Sequence, residues 1–319
     1  MTRTKHVFGA IVTIGALATM GCKPATSGGS GGASGARDDL LAHLPAACPT
    51  GRVFIDWRSF ARHPAFSGHV KALEDKISHA MGREERSTAR DVLESFRDKG
   101  IDPARDIESA GMCIRDQKSV VLGIGGDFED KDLLKIFVQI AREHGDTKPP
   151  PHGEIDGIRY LGDDDVVVAQ VVPRVLVVDV AGEPSDLAKM ADRTRVAKDW
   201  RAAEGTMLWA SVVPDPTMKV ELSLRADGDD LVLDGLVASE EIRKAHAAEA
   251  DVRQELAKLA DSLQETPLAP LADDLRGMEL QVKGDSIRGH LVAPSAHVSK
   301  TIERLLQASD ADFQRGFRM

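Results

Sequence analysis

Cys22 is the residue whose type and surroundings point most clearly to chemistry, because its thiol can accept an acyl chain. Arg3 and Lys5 give the first residues a positive charge, and the apolar run Val7–Met20 follows them. This run is shorter than the ~20 residues that a membrane-spanning helix needs, but it has the length of a signal-peptide core. Gly21, a small residue that fits a signal peptidase, stands directly before the thiol.

Residues 18–22, Ala-Thr-Met-Gly-Cys, resemble the lipobox of bacterial lipoprotein signals, with Thr19 at the position where Leu is usual. The resemblance implies a signal peptide of residues 1–21 and diacylglycerol on Cys22. Asp after the cysteine retains lipoproteins of this class at the inner membrane, whereas this chain has Lys23, which implies the periplasmic face of the outer membrane. An ordinary cleaved signal peptide with an incidental cysteine is the alternative.

Residues 22–38 predict a tether, because their Gly/Ser tract has too few apolar groups to pack. The chain has 41 basic and 51 acidic residues, a formal net charge of −10, so anionic headgroups would repel it. We therefore expect acyl chains on Cys22 to attach it to the bacterial membrane. The same acidic balance, with 4% aromatic residues, argues against a nucleic-acid partner.

The two other cysteines, Cys48 and Cys113, form an even pair in a chain that is expected in an oxidising compartment. We predict a disulfide between them, which would join the segment before the first strand to a later hairpin. Two unpaired buried thiols are the alternative, because free cysteine is also among the most buried residues.

The periodicity of apolar residues predicts short strands that alternate with amphipathic helices. Strands are predicted at 52–57, 108–115, 119–125, 158–161, 166–172, 175–180, 206–213, 219–225, 231–238, 278–282 and 287–292, and helices at 68–99, 130–144, 184–194, 239–263 and 297–307. Hairpins and helices in this order predict an α+β fold, with antiparallel sheets and amphipathic helices packed on one face.

Two stretches share an order of elements, which predicts an internal duplication with halves 39–200 and 201–310 and a tail 311–319. The strand Val53–Asp56 corresponds to 231–234, and the stretch 128–141 corresponds to 293–306. The body resembles uncharacterised duplicated α+β bacterial envelope proteins in Leu44-Pro45-Ala46, the Val53–Asp56 strand, Gly100-Ile101-Asp102-Pro103 and Gly125-Gly126-Asp127-Phe128. The resemblance implies a fold and no activity. Coincidence of two common α+β units is the alternative.

The remaining motifs favour structural roles. The glycine-rich loop 123–128 has Phe128 where a dinucleotide loop needs a third glycine, so Phe128 is predicted to anchor the core. The acidic loops 163–165 and 227–230 lack the spaced ladder of a calcium site and predict hairpin turns. No histidine pair has the i, i+4 spacing of a zinc helix. A Gly-x-Ser-x-Gly nucleophile motif is absent from the body of the sequence after residue 38.

The sequence thus predicts a lipid-anchored periplasmic lipoprotein that acts as a non-enzymatic interaction or ligand-binding module. Its expected partners are the membrane, through Cys22, and an envelope protein or ligand that the sequence does not identify. No cofactor, metal or catalytic residue is predicted. The alternative is an envelope-associated hydrolase whose active site has no motif, with catalytic residues brought together from separate loops.

Overall fold

The computed structural model describes residues 35–69, 72, 94–116, 118–143, 151–162, 165–182, 184–191, 196–240, 249–264, 266 and 269–307. The predicted signal peptide 1–21, Cys22, most of the predicted helix 68–99 and the predicted tail 311–319 lie outside these residues. Among the described helices, none is both long and apolar enough to cross a membrane.

Helices and short strands alternate along the described chain. The strands are β1 Gly51–Asp56, β2 Ile107–Ile114, β3 Val120–Gly126, β4 His152–Ile155, β5 Ile158–Gly162, β6 Val166–Val172, β7 Val175–Val180, β8 Leu208–Asp215, β9 Met218–Asp227, β10 Asp230–Ser239, β11 Glu279–Lys283 and β12 Ser286–Ala293. The helices are α1 Gly35–His43, α2 Trp57–Arg62, α3 Pro64–Ser67, α4 Pro103–Asp106, α5 Leu133–Glu143, α6 Pro184–Ala191, α7 Glu249–Leu263, α8 Ala272–Arg276 and α9 Ser295–Gln307, with 3₁₀ turns Lys198–Ala203 and Ala269–Leu271.

The chain divides into two compact units. Unit 1 comprises the described residues of 1–58 and 81–204, and unit 2 comprises those of 59–80 and 205–319. The predicted second half begins at residue 201, close to Gly205, where unit 2 resumes. The segment 59–80 belongs to unit 2 although it lies within the predicted first half.

Unit 1 has an antiparallel sheet in the order β1–β2–β3–β7–β6–β5–β4. On one face, Leu40 of α1 and the following Leu44 pack over Gly123 of β3. On the other face, Ile124 belongs to a buried cluster with α5. Strands β6 and β7 are Val-rich and buried on both sides, as is usual for strands of a sheet that is covered on both faces. The α+β class is confirmed, and helices occupy two faces of this sheet where one was expected.

Unit 2 has an antiparallel sheet in the order β11–β12–β10–β9–β8. Helices α3 and α9 pack against β9 and β10 around a cluster that includes Phe66, Leu231 and Ile302. Helix α9 is strongly amphipathic, with Val298, Ile302 and Leu306 turned towards this cluster. The helices and the sheet therefore share one apolar core at this end of the unit.

The two predicted halves share an order of elements along the chain and differ in the order of their strands, and their duplication stays a prediction. A helical segment, a hairpin and a helix follow β1, and α7, the β11–β12 hairpin and α9 follow β10 in the same way. However, β1 pairs with β2, the first strand of its hairpin, whereas β10 pairs with β12, the second strand. The hairpin of the first half therefore pairs through its first strand, and the hairpin of the second half pairs through its second strand.

Helix α1 begins at Gly35, inside the segment 22–38 that was predicted to be a tether. Leu40 and Leu41 have no exposed surface, because this turn of α1 packs against the rest of unit 1. Burial of these side chains outweighs the low helix propensity of the preceding glycines. The tether therefore ends before Gly35, and residues 22–34 lie outside the described part of the chain.

Candidate functional site

One face of the unit 2 sheet is apolar over most of its area. Residues directly opposite each other in antiparallel strands point to the same side, so the register defines three rows across the sheet. We call these rows the apolar face: Leu208, Leu224, Leu233 and Leu291; then Ala210, Leu222, Gly235, Gly289 and Leu280; then Val212, Val220, Val237, Ile287 and Val282.

Among the described helices, α3 and α9 pack over one end of the apolar face. Leu231, beyond the first row, is buried with Phe66 of α3 and Ile302 of α9. In the second and third rows every residue is half-buried or exposed, and Leu222 in the middle of the sheet is 38% exposed. A large apolar side chain at such a position favours contact with another apolar group.

Glycine creates a depression in the second row. No atom of the described residues lies within 4 Å of a methyl group placed on Gly235, so these residues leave the space above it open. The neighbouring Gly289 is covered, because its methyl position lies 2.9 Å from Met278 Sδ and 3.7 Å from Leu280 Cδ2. Leu222 therefore borders one side of the depression, and Met278 and Leu280 border the other. We call this space above Gly235 the notch.

The opposite face of the same sheet is polar over most of β9 and β12. Asp234 of β10 lies between a histidine and an arginine: His290 Nδ1 is 2.7 Å from its Oδ1, and Arg225 Nε is 3.5 Å from its Oδ2. Lys219 and Glu221 form another ion pair on this face, at 2.7 Å. The two faces of the unit 2 sheet therefore have opposite chemical character, and only the apolar face is suited to an apolar ligand.

The predicted cysteine pair is joined in the structure. Cys48, just before β1, and Cys113 of β2 form a disulfide with their Cα atoms 5.3 Å apart. Both residues are buried, and Arg52 of β1 pairs in register with Cys113. The crosslink therefore attaches the segment before β1 to the sheet of unit 1, as predicted.

A serine and a histidine are hydrogen bonded in unit 2. His69 Nε2 lies 2.7 Å from Ser299 Oγ, and both residues are half-buried. Ser299 lies within α9, where backbone N–H groups such as that of Val298 are already used in helical hydrogen bonds. A nucleophile elbow instead presents its serine on a sharp turn beside free N–H donors. Among the described residues, this pair is the contact that most resembles a nucleophile hydrogen bonded to a base.

The buried carboxylates of unit 1 have cationic partners. Burial acts to raise the pKa of Asp106, but hydrogen bonds from Arg105 and Lys131 outweigh it and hold that pKa below its usual value. Burial raises the pKa of Glu108, and the charges of Arg58 and Arg174 partly offset this rise. Ion-paired carboxylates of this kind favour a structural role over general acid catalysis.

The remaining sequence motifs take structural positions. Phe128 is buried in the core of unit 1, as predicted for the glycine-rich loop. Asp227 and Asp230 close the β9–β10 hairpin around Gly228, whose φ of +62° suits glycine, so this loop is the predicted turn. Asp163 and Asp164 lie outside the described residues. Within the described residues, no group of three His, Cys, Asp or Glu side chains could hold a metal ion.

Sequence reasoning missed the notch. Gly235 and Gly289 stand inside predicted strands, and a glycine in a strand is a signal of close backbone approach or open space. Which of the two leaves open space depends on the register of β12 with β10 and on where Met278 lies.

Comparisons with known proteins identify no family for this chain. No family model matches the chain, and no curated protein matches it. Crystal form III of TP0453 has a TM-score of 0.46 and 10% identity, over 84% of this chain and 98% of that one. Crystal forms I and IV of TP0453 have TM-scores of 0.43 and 0.42 with 12% and 11% identity, each over 85% of this chain and over 98% and 99% of theirs.

Proposed function

We propose that this chain is a lipid-anchored envelope lipoprotein whose second unit binds an acyl chain in the notch above Gly235. The observation that supports this proposal is the half-covered apolar face, with Leu222 exposed and open space over Gly235. Strands β9 and β12 flank β10 and lie about 9–10 Å apart, since neighbouring strands are separated by about 4.8 Å. A single hydrocarbon chain fits between side chains at that separation.

The anchor and the notch suit the same compartment. Diacylglycerol on Cys22 would hold the protein at the periplasmic face of the outer membrane, where free and headgroup-linked acyl chains occur. A binding role without catalysis is consistent with the ion-paired carboxylates of unit 1. Burial of apolar surface would drive the binding of the ligand, with a free energy of about 25 cal/mol for each Å² removed from water.

The ligand proposal is tested with cis-parinaric acid, a fluorescent fatty acid whose emission rises in an apolar site. The protein is secreted with a cleavable signal in place of residues 1–22, so that no acyl anchor competes. We expect saturable binding of one molecule per chain. Gly235→Val fills the notch and is expected to weaken binding at least tenfold, because the new side chain takes the place of the ligand.

Val292→Leu is the matched control, since it enlarges an apolar side chain that is 47% exposed on the opposite face of the same sheet. This variant should bind cis-parinaric acid as the parent does. Equal binding by the parent and by Gly235→Val would contradict the notch as the site.

The anchor is tested separately. Cys22→Ser should prevent lipidation and the cleavage that depends on it, read by metabolic labelling with palmitate. The form with a cleavable signal lacking the cysteine should be recovered as a folded periplasmic protein. Its retention in the membrane pellet after a high-salt wash would contradict a tethered body.

The second candidate function is a hydrolase, and the specific observation that favours it is the contact between His69 and Ser299. An activated serine reacts with a fluorophosphonate and becomes covalently labelled. Labelling that is lost in Ser299→Ala would support a hydrolase. On the binding proposal, neither the parent nor this variant is labelled.

A further inference from the structure

The chain passes between the two units at two places in its described part. It leaves unit 1 after Arg58, within α2, and it leaves unit 1 again after Glu204. A third passage, between residues 80 and 81, lies outside the described residues. We call residues 54–58 the first connection and residues 200–204 the second connection, and all of them belong to unit 1.

Arg37 of α1 binds both connections. Its Nη1 lies 3.2 Å from Asp56 Oδ2, and its Nη2 donates a hydrogen bond of 2.8 Å to the backbone oxygen of Ala203. The side chain of Arg37 is 19% exposed and that of Asp56 is 9% exposed. Hydrogen bonds of a charged group are stronger than neutral ones, and shielding from water strengthens them further. One guanidinium group therefore joins two segments that lie far apart in the sequence.

The packing of α1 fixes the position of Arg37. The backbone of α1 lies close to β3, since the oxygen of Ala36 is 2.6 Å from the position that a Cβ atom on Gly125 would take. The Arg37 guanidinium also lies over the ring of Phe54, with Cζ 5.5 Å from the ring centroid. Stacking on an aromatic ring orients the plane of a guanidinium. Arg37 therefore has little freedom to follow either connection when that connection moves.

Each connection has a further support within unit 1. In the first connection, Arg58 is ion-paired with Glu108 of β2, whose side chain is 5% exposed. In the second connection, Trp200 is fully buried, and its Nε1 donates a hydrogen bond of 2.7 Å to the backbone oxygen of Pro45. These two contacts hold one connection each, whereas Arg37 holds both.

We propose that Arg37 is a clamp that makes the first and second connections open together. A planar guanidinium presents its two Nη atoms at a fixed spacing, so the loss of one partner frees the group to rotate and weakens its bond to the other partner. Opening is the local loss of backbone structure, which hydrogen exchange detects. The clamp needs no ligand in unit 2, so it can hold where the proposed binding of an acyl chain fails.

Hydrogen exchange of the chain expressed in full, read by mass spectrometry of peptic fragments, tests the clamp. Arg37→Gln removes the charge that binds both connections. Exchange of the amides in both connections should become about tenfold faster, because hydrogen bonds of a charged group are lost. The amides of β6 and β7 should keep the rate of the parent, since the sheet of unit 1 stays folded.

Asp56→Asn is the decisive variant, because it changes a side chain of the first connection alone. A clamp passes the effect on through Arg37, so exchange should become about threefold faster in the second connection as well. Adding Asp56→Asn to Arg37→Gln should change nothing further in the second connection, because the path is already cut. Asn keeps the shape of the Asp side chain, so this variant tests the clamp even if Arg37→Gln does not fold.

Arg115→Gln is the matched control. Arg115 is 21% exposed and also contacts two groups of unit 1, the carboxylates of Asp179 and Asp186. Its replacement should speed exchange in β7 and leave both connections at the rate of the parent. Faster exchange that Asp56→Asn confines to the first connection would overturn the clamp. An added effect of Asp56→Asn on the second connection of Arg37→Gln would overturn it as well.

Discussion

The carboxylate of Asp179 in unit 1 should make the stability of this unit depend on pH. Asp179 has no exposed surface and lies on β7, with its Oδ2 3.2 Å from Arg115 Nη2. Arg115 also contacts Asp186, at 3.2 Å. Burial raises the pKa of Asp179 to about 6; the charge of Arg115 opposes this and the charge of Asp186 adds to it.

The direction of the effect follows from the pKa in each state. The ordinary pKa of an aspartate side chain is 3.8, so between pH ~4 and ~6 the folded protein binds a proton that the unfolded chain releases. The free energy of unfolding therefore falls as the pH rises through this range. A difference between 3.8 and about 6 corresponds to about 3 kcal/mol. Asp179→Asn keeps the shape of the side chain and removes its titration.

Urea unfolding at pH 4, 5, 6 and 7 measures this effect. The free energy of unfolding of the parent, minus that of Asp179→Asn, should decrease by about 3 kcal/mol from pH 4 to pH 7. The control is Asp199→Asn, which removes a carboxylate that is 44% exposed and pairs with Arg52. Parallel pH profiles for the parent and Asp179→Asn would refute the assignment of the raised pKa to this carboxylate.

Three further predictions concern the packing of unit 1 and unit 2. Replacing Cys48 and Cys113 by alanine should lower the free energy of unfolding by about 4 kcal/mol, because the disulfide closes a loop with a sequence separation of 65; the same urea series checks this. Gly125→Ala should lower it by about 1–3 kcal/mol, since its Cβ would lie 2.6 Å from the backbone oxygen of Ala36. Gly235→Ala meets open space within a strand and should be neutral or raise stability by up to about 1 kcal/mol, which urea unfolding can distinguish from a loss.

The sequence predictions were accurate where neighbouring residues determine the structure and failed where distant contacts determine it. Strands β6 and β7 begin and end at the predicted residues, because a run of Val bounded by Pro173 determines both ends locally. Helix α1 was missed because the burial of Leu40 and Leu41 against a distant sheet, and not local propensity, stabilises it.

The candidate site depended on long-range contacts and was correspondingly harder to predict. The notch arises from the register of three strands and from the end at which α9 stops covering them, which no local pattern encodes. Asp179 stands out in a Val-rich strand, which suggests burial, but its partner Arg115 is 64 residues away. The disulfide was predictable because only two cysteines remained after Cys22, so no choice of pairing was left.

Native mass spectrometry of the protein secreted without its anchor, and isolated from the periplasm with no added ligand, tests the central claim most directly. The proposal predicts that the parent carries one co-purified acyl-chain molecule per chain and that Gly235→Val, with its notch filled, carries none. An unliganded parent that also fails to take up added fatty acid, or equal occupancy in both proteins, would contradict the claim that the notch binds an acyl chain.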